Sequence, residues 1–355
     1  MLQSNSSPTA PPRGAAAEER SEAKGSLRPS LYVALLAAIM FGTFFYDLRT
    51  TGIFACSAAG YSDDTYLAYC NSTGYGDYDH GAFWFDLEPE ARRAAESAAV
   101  LFLGTSRMEF AFSASSTEDW FKARRIGFYL LGFSHSENVT FTGPLLASMV
   151  PKSRAYVINV DRFFETERTA PAAEILHGEG VQTRYERKRV WQTVHKAVCG
   201  SFEFVCGDSL QFVRARPNGE WTFRGTAELP ASGVGDGPEG NKQQWPERAA
   251  RARAFIDTLA VERGCVFLTV VPWSTTPRAE AAAIAAAVGL ELLAPQLPDL
   301  RTFDGSHLDR PSAERWSKAF FDLVGPRLES CATGARAEPR ETRTPADAAY
   351  PAASL

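Results

Sequence analysis

A chain of 355 residues, 45% hydrophobic and 22% charged, holds enough apolar material for one large or two ordinary domains with a proper core. Its net charge of -5 and the lack of any long basic block speak against nucleic acid as a partner. Aromatic residues are plentiful (24 Phe, 11 Tyr, 7 Trp), which suits a folded body and also contacts to carbohydrate or acyl chains.

Residues 1–29 are rich in Ser, Pro, Ala, Glu and Arg, show no apolar period, and read as a disordered cytoplasmic tail. Ser30 to Tyr46 follows as an uncharged apolar stretch of 17 residues, the lower limit for a spanning helix. Residues 30–47 are therefore assigned as a transmembrane signal anchor. A cleaved secretory signal peptide is the alternative, but Asp47-Leu48-Arg49 stands where a small-x-small cleavage site would follow. Arg20, Lys24 and Arg28 precede the span and only Arg49 follows closely. The positive-inside rule then puts the body on the periplasmic or extracytoplasmic side of the inner (plasma) membrane.

Residues 48–95, dense in Gly, Asp, Tyr and Ser, read as a loop-rich lead-in with room for one hairpin. From residue 96 to 330 strand and helix signals alternate. Strands are predicted over Ala98–Gly104, Arg125–Gly132, Ala155–Asp161 and Cys265–Val271, with a short one at Glu291–Leu293. Helices are predicted over Ser116–Arg124, Asn138–Met149, Tyr185–Val198, Gln244–Arg263, Arg278–Val288 and Pro311–Leu328. Ser116 or Thr117 is expected to cap the first, Asn138 the second and Asp309 the last. Residues 201–240 read as an insertion, and residues 331–355 as a disordered tail. Alternation of this kind implies an α/β domain with a mainly parallel sheet covered on both faces, and a site at the carboxyl ends of its strands.

The six cysteines, Cys56, Cys70, Cys199, Cys206, Cys265 and Cys331, include no CxxC pair and no histidine at zinc-finger spacing, so neither a metal nor another cofactor is expected. An even count on an exported body argues for disulfides, and six cysteines allow 15 pairings. Sequence neighbours suggest Cys56–Cys70 and Cys199–Cys206, which leaves Cys265–Cys331; free buried thiols are the alternative. Asn71-Ser72-Thr73 and Asn138-Val139-Thr140 are glycosylation sequons, of use only in a eukaryotic secretory pathway.

Two segments carry chemistry. Gly104-Thr105-Ser106-Arg107 follows an apolar strand, and Asp304-Gly305-Ser306-His307-Leu308-Asp309 stands just before the last helix. A serine hydroxyl is a poor nucleophile until an imidazole takes its proton, and that imidazole needs a carboxylate to fix its tautomer. Ser106, His307 and Asp304 supply those three roles. Asp309 is the rival carboxylate, although its place suits a helix cap.

These two segments resemble the first and last blocks of the SGNH (GDSL-type) hydrolases over about Glu96 to Glu329. Within that family the chain looks most like the membrane-anchored, exported branch that includes the alginate O-acetylation proteins and the protein that D-alanylates lipoteichoic acid. The resemblance implies a three-layer α/β/α domain with Ser106 as nucleophile, His307 as base and Asp304 as its orienter. It implies an oxyanion hole built from the N–H groups of Ser106 and Gly132 and from an asparagine side chain. The third block departs from the family pattern: Asn159 has the chemistry but precedes the strand tip, and Asp161 has the place but, ionised, cannot donate. Arg107 offers charge to a substrate, or a salt bridge to Glu109 or Asp161; Asp161, at the strand tip, is itself a candidate substrate-binding residue. His135, in Ser134-His135-Ser136, offers a substrate contact, or is a loop histidine without a role. Two functions follow. One is a serine O-acyltransferase or O-acyl esterase acting on a glycan or another acylated envelope substrate. The other is an inactive glycan-binding or scaffold module that serves a multi-span membrane acyltransferase. Tyr61, Tyr66, Tyr69, Tyr75, Phe83, Trp84, Phe202, Phe204 and Trp221 are aromatics of the kind that stack on sugars, or that form local core under long loops.

Overall fold

Helix α1 (Pro29–Thr50) opens the part of the computed structural model that is described, which comprises residues 29–224, 231–238 and 241–334. The expectations for residues 1–28 and 335–355 lie outside it. The chain divides into two units, Met1–Tyr46 and Asp47–Leu355. The 22 residues of α1 span about 33 Å at 1.5 Å each, and its apolar stretch is long enough to cross a membrane. None of its residues is buried, and apolar side chains surround it.

The body begins with the antiparallel strands β1 (Thr65–Cys70) and β2 (Gly76–Asp77) and the helices α2 (Asp79–Trp84) and α3 (Pro89–Ser97). Then come β3 (Val100–Thr105), α4 (Ser106–Phe112), α5 (Ser115–Arg124), β4 (Phe128–Phe133), α6 (Val139–Met149) and β5 (Ala155–Asn159). Helices α7 (Ala170–His177) and α8 (Val181–Ser201) lead to a hairpin, β6 (Gln211–Ala215) with β7 (Trp221–Arg224), and to a short strand β8 (Ser232–Gly233). The chain closes through α9 (Trp245–Thr258), β9 (Val266–Thr269), α10 (Arg278–Ala287), β10 (Arg301–Thr302) and α11 (Arg310–Thr333).

The central sheet is parallel throughout, in the order β4-β3-β5-β9. Its strands read as unbroken apolar runs because both faces are covered. Leu101, Leu103, Leu131 and Ile158 enter one core with Leu145, Phe255 and Ile284 of α6, α9 and α10. Their neighbours Phe102, Leu130 and Val157 enter a second core with Phe112, Phe121, Trp316 and Phe320 of α4, α5 and α11. The chain winds from β3 outward to β4, then returns past β3 to β5. Such a reversal opens a crevice at the carboxyl ends of the strands on either side of it.

The lead-in and the insertion are not separate appendages. Strands β2-β1-β6-β7 form one antiparallel sheet that joins them. The turn between β6 and β7 covers the free edge of β4, where Leu130 N–H donates to Asn218 O at 2.8 Å and Arg214 Nη1 donates to Leu130 O at 2.6 Å. Gly219 in that turn has φ +80°, and a Cβ there would lie 2.2 Å from Leu130 O.

Several boundaries differ from expectation: β4 starts at Phe128 and not at Arg125, and α9 ends at Thr258 and not at Arg263. Glu291–Leu293 forms no strand, only a single parallel bridge from Leu292 to Leu268. The last helix runs through Cys331 to Thr333 and ends on Gly334 in the left-handed region, so residues 331–334 are not tail. The disulfides are Cys56–Cys70, Cys199–Cys206 and Cys265–Cys331. The sequon residue Asn138 is buried and caps α6, its Oδ1 accepting from Thr140 N.

Candidate active site

Strand β3 delivers Thr105 in extended conformation, and its side chain accepts from Arg107 N to start α4. Ser106 is thereby the first residue of a helix at the carboxyl edge of the sheet. The partner segment is a tight turn. Gly305 takes φ +76°, and Asp304 Oδ1 accepts from Ser306 N at 2.9 Å and His307 N at 2.7 Å. These two bonds fix the carboxylate so that Oδ2 meets His307 Nδ1 at 2.5 Å. The other ring nitrogen, Nε2, stands 2.8 Å from Ser106 Oγ. A carboxylate against Nδ1 requires the proton there, which leaves Nε2 bare to accept from the serine hydroxyl. Burial raises the Asp304 pKa. The His307 hydrogen bond and charge and the two backbone N–H groups outweigh it and hold the carboxyl below its ordinary value. Asp309 caps α11 by accepting from Ser312 N, as its place suggested.

The oxyanion assignments fare differently. Gly132 N–H donates to Glu109 Oε1 at 2.6 Å inside the core, so it is not free for a substrate oxygen. The Glu109 side chain on α4 reaches across to β4 there because Gly132 has no Cβ to exclude it; one built there would lie 2.8 Å from Glu109 Cγ. Burial pushes Glu109 up to about 8, against the pull of Arg214 and of that N–H. Asn159 is fully buried: its Oδ1 accepts from Val271 N at 3.0 Å, and its enclosed Nδ2 has no partner among the described residues. It does not open onto the surface beside Ser106.

Arg107 and Asp161, both nominated for substrate, bind each other. The guanidinium pairs with Asp161 Oδ2 and lies 3.9 Å from the centroid of the Trp273 ring. His135 follows the tip of β4, and Phe133 pairs in register with Thr105, so His135 and Ser106 stand on the same rim. Both His135 and Ser136 have positive φ, 60° and 57°. Ser134 Oγ donates to Asp77 Oδ2 at 2.9 Å and lies 2.6 Å from His135 Nδ1. Burial lowers the His135 pKa, so the ring is neutral at neutral pH. Behind it, His80 is wedged between Asp77 at 2.9 Å and Glu137 at 3.0 Å, fully buried.

Of the aromatics nominated for sugar, Tyr66, Tyr75, Phe83 and Trp221 are core, and Phe202 and Phe204 lie on the loop after α8. The rings beside the serine are mostly others. Phe110, one turn beyond Ser106 on α4, lies 4.7 Å from the His307 ring, and Phe303 stacks on it at 5.6 Å. Phe212, Phe223 and Tyr69 continue the row, each half-buried. A cavity of about 340 Å³ adjoins it, lined by Phe110, Phe223, Phe303, Glu118, Glu220 and Arg310. Burial pushes Glu220 up to about 7. Phe110 was legible as the i+4 partner of Ser106 only once α4 was seen as a helix. His195 lies beside Cys199 and Cys206, but those two sulfurs are bonded to each other, which removes the thiolates a metal would need.

Comparison with known proteins finds no matching family, no matching curated protein and no matching solved structure.

Proposed function

We propose that the chain is an exported, membrane-tethered serine O-acyltransferase or O-acyl esterase of SGNH type, which modifies a cell-envelope or secreted glycan through an acyl-serine. The observation that carries this reading is the continuous hydrogen-bonded series Ser106 Oγ, His307 and Asp304 at the carboxyl edge of a parallel sheet. In the first half-reaction Ser106 Oγ attacks the acyl carbonyl as His307 Nε2 takes its proton. The bond to the departing alcohol then breaks, and the imidazolium returns the proton to that alcohol. In the second half a sugar hydroxyl or water attacks the acyl-serine carbonyl as it gives its proton to His307; the bond between the acyl carbon and Ser106 Oγ then breaks, and the imidazolium returns the proton to Ser106 Oγ. Asp304 stays ionised and stabilises the imidazolium in both. Ser106 N–H, at the first position of α4, has no intrahelical acceptor and suits the developing oxyanion. The half-buried rings from Tyr69 to Phe303 suit the faces of sugar rings. The span α1 and the charges around it favour a body outside the cytoplasm.

A second reading, a glycan-binding or scaffold partner of a multi-span membrane acyltransferase, is favoured by one observation. Neither Gly132 nor Asn159 presents a donor to the site, and loss of one oxyanion donor typically costs 10²–10³ in rate. Reaction of the full-length protein with a fluorophosphonate separates the two. The enzyme gains one adduct by intact mass, on Ser106, and Ser106→Ala gains none. An inert Ser106 leaves the scaffold reading. Deleting the gene lowers ester-linked acyl groups on the target glycan if the protein transfers them, and raises them if it is an esterase.

A further inference from the structure

Helix α8 has two unlike faces. One buries Val181, Tyr185, Gln192, His195 and Cys199 in the body. The other presents Arg187, Val190, Trp191 and Val194, spaced i, i+3, i+4, i+7, to the outside. Val190 is 64% exposed and Trp191 50%, and Phe202 on the following loop is 55% exposed. Outside α1, the large exposed hydrophobic residues among the described ones are Val150, Val190, Trp191, Val194, Phe202, Phe204 and Leu323. All but Val150 and Leu323 fall on this helix and its loop. Scattered apolar residues on a surface need no explanation, but a cluster of this kind marks an interaction site.

The chain itself indicates the occupant. Helix α1 ends at Thr50, so Phe54 lies at most about 14 Å of extended chain beyond it. Phe54 is fixed to this patch. Its ring meets Trp191 edge-on at 6.2 Å, and its carbonyl accepts from Gly207 N at 2.8 Å. Next to it, Ala55 O accepts from Ser209 N at 3.0 Å, and the ring nitrogen His195 Nε2 lies 2.8 Å from Cys56 O. The Cys199–Cys206 disulfide closes the loop that carries Phe202. Tryptophan favours the membrane–water interface, and the exposed Arg187 and Arg189 beside the stripe suit anionic headgroups.

We infer that the exposed stripe of α8 and the Phe202 loop lie in the lipid interface next to the end of α1, which fixes one side of the body against the bilayer. This rests on α1 spanning the membrane and is independent of any role for Ser106. The test uses intrinsic fluorescence. The span has no tryptophan, and Trp191 is the one tryptophan among the described residues that is more than a third exposed. The full-length chain is reconstituted into vesicles of phosphatidylcholine and phosphatidylglycerol, with and without phosphatidylcholine brominated near the headgroup end of its acyl chains. The expected result is a loss of emission in the brominated vesicles that disappears in Trp191→Phe. In Val190→Ser/Val194→Ser, which keeps Trp191, the loss should shrink. Protein that floats with the vesicles but shows no quenching overturns the proposal, as does quenching that persists in Trp191→Phe. A partner protein on this face gives the former result, because pure lipid then leaves Trp191 in water. A chain that does not float overturns the anchor and this proposal together, whereas fluorophosphonate labelling of Ser106 reports on the enzyme alone.

Discussion

Asp304→Asn isolates the electrostatics of the site from its shape. The two backbone donors, Ser306 N and His307 N, hold Oδ1 at 2.9 and 2.7 Å and will keep the amide oxygen where they are. The new NH₂ then faces His307 Nδ1 and donates to it. The ring must carry its own proton on Nε2, the nitrogen that faces Ser106, and the serine loses its base. In serine triads this wrong tautomer costs about 10⁴ in rate. One escape exists. A flipped amide restores the tautomer but sets NH₂ against two N–H groups, and two hydrogen bonds at about 1 kcal/mol each are lost. A cost of about 2 kcal/mol leaves roughly one molecule in 30 flipped. The loss in rate therefore lies between roughly 30-fold and roughly 10⁴-fold. The assay is the second-order rate of fluorophosphonate labelling and the turnover of p-nitrophenyl acetate, with thermal unfolding alongside. Asp304→Ala strips the turn of both backbone acceptor bonds and should also lower the unfolding midpoint, whereas Asp304→Asn should not. An Asn variant within tenfold of the native rate refutes the argument. So does one as unstable as the Ala variant.

The buried His80 predicts a pH dependence of stability. Burial lowers its pKa, but Asp77 and Glu137 outweigh burial and raise it to about 10, above its unfolded value near 6.5. Its contribution is therefore full below about 6.5 and is lost as pH rises through about 10; a thermal midpoint flat across that range, or a fall that His80→Gln does not remove, contradicts this. Asp77, held down to about 2 mainly by His80 against the cost of burial, loses its contribution as pH falls from about 4 through about 2, which acid titration of the unfolding midpoint checks. Replacing each disulfide pair with serine should destabilise in the order of loop length. The separations of 66, 14 and 7 residues correspond to about 4.4, 3.0 and 2.4 kcal/mol for Cys265–Cys331, Cys56–Cys70 and Cys199–Cys206, read by chemical denaturation, and a reversed order argues against the chain-entropy account. Gly219→Ala combines a left-handed φ with a Cβ well inside van der Waals contact distance of Leu130 O and should cost about 2 kcal/mol or more, with Gly180→Ala, left-handed but in open space, as the milder control.

What the sequence discloses depends on how far apart the cooperating residues stand. The four parallel strands were legible because each is an unbroken apolar run whose meaning is local. Asn138 and Asp309 were legible as caps for the same reason. The cap of α5 was not. Its first N–H groups, on Ser115 and Ser116, are accepted by the Glu314 carboxylate from α11, so neither Ser116 nor Thr117 serves. The same limit hid the second sheet, since β1 finds β6 only across the intervening parallel domain. Arg214 on β6 shows why the two cannot be separated. Fully buried, it bonds Asp79 from the lead-in, Glu109 from the helix that begins with Ser106 and the carbonyls of Leu130 and Gly132 on β4. A buried guanidinium is costly unless it is paired and hydrogen-bonded, and Asp79 Oδ2 accepts from both its Nε and Nη2. Glu109 in turn occupies the Gly132 N–H that the family pattern assigns to the oxyanion. One long-range polar network thus decides both how the lead-in and insertion dock and which donors remain at Ser106. No local motif in the chain could have announced that, because Arg214, Asp79 and Glu109 stand on three segments that only the fold brings together.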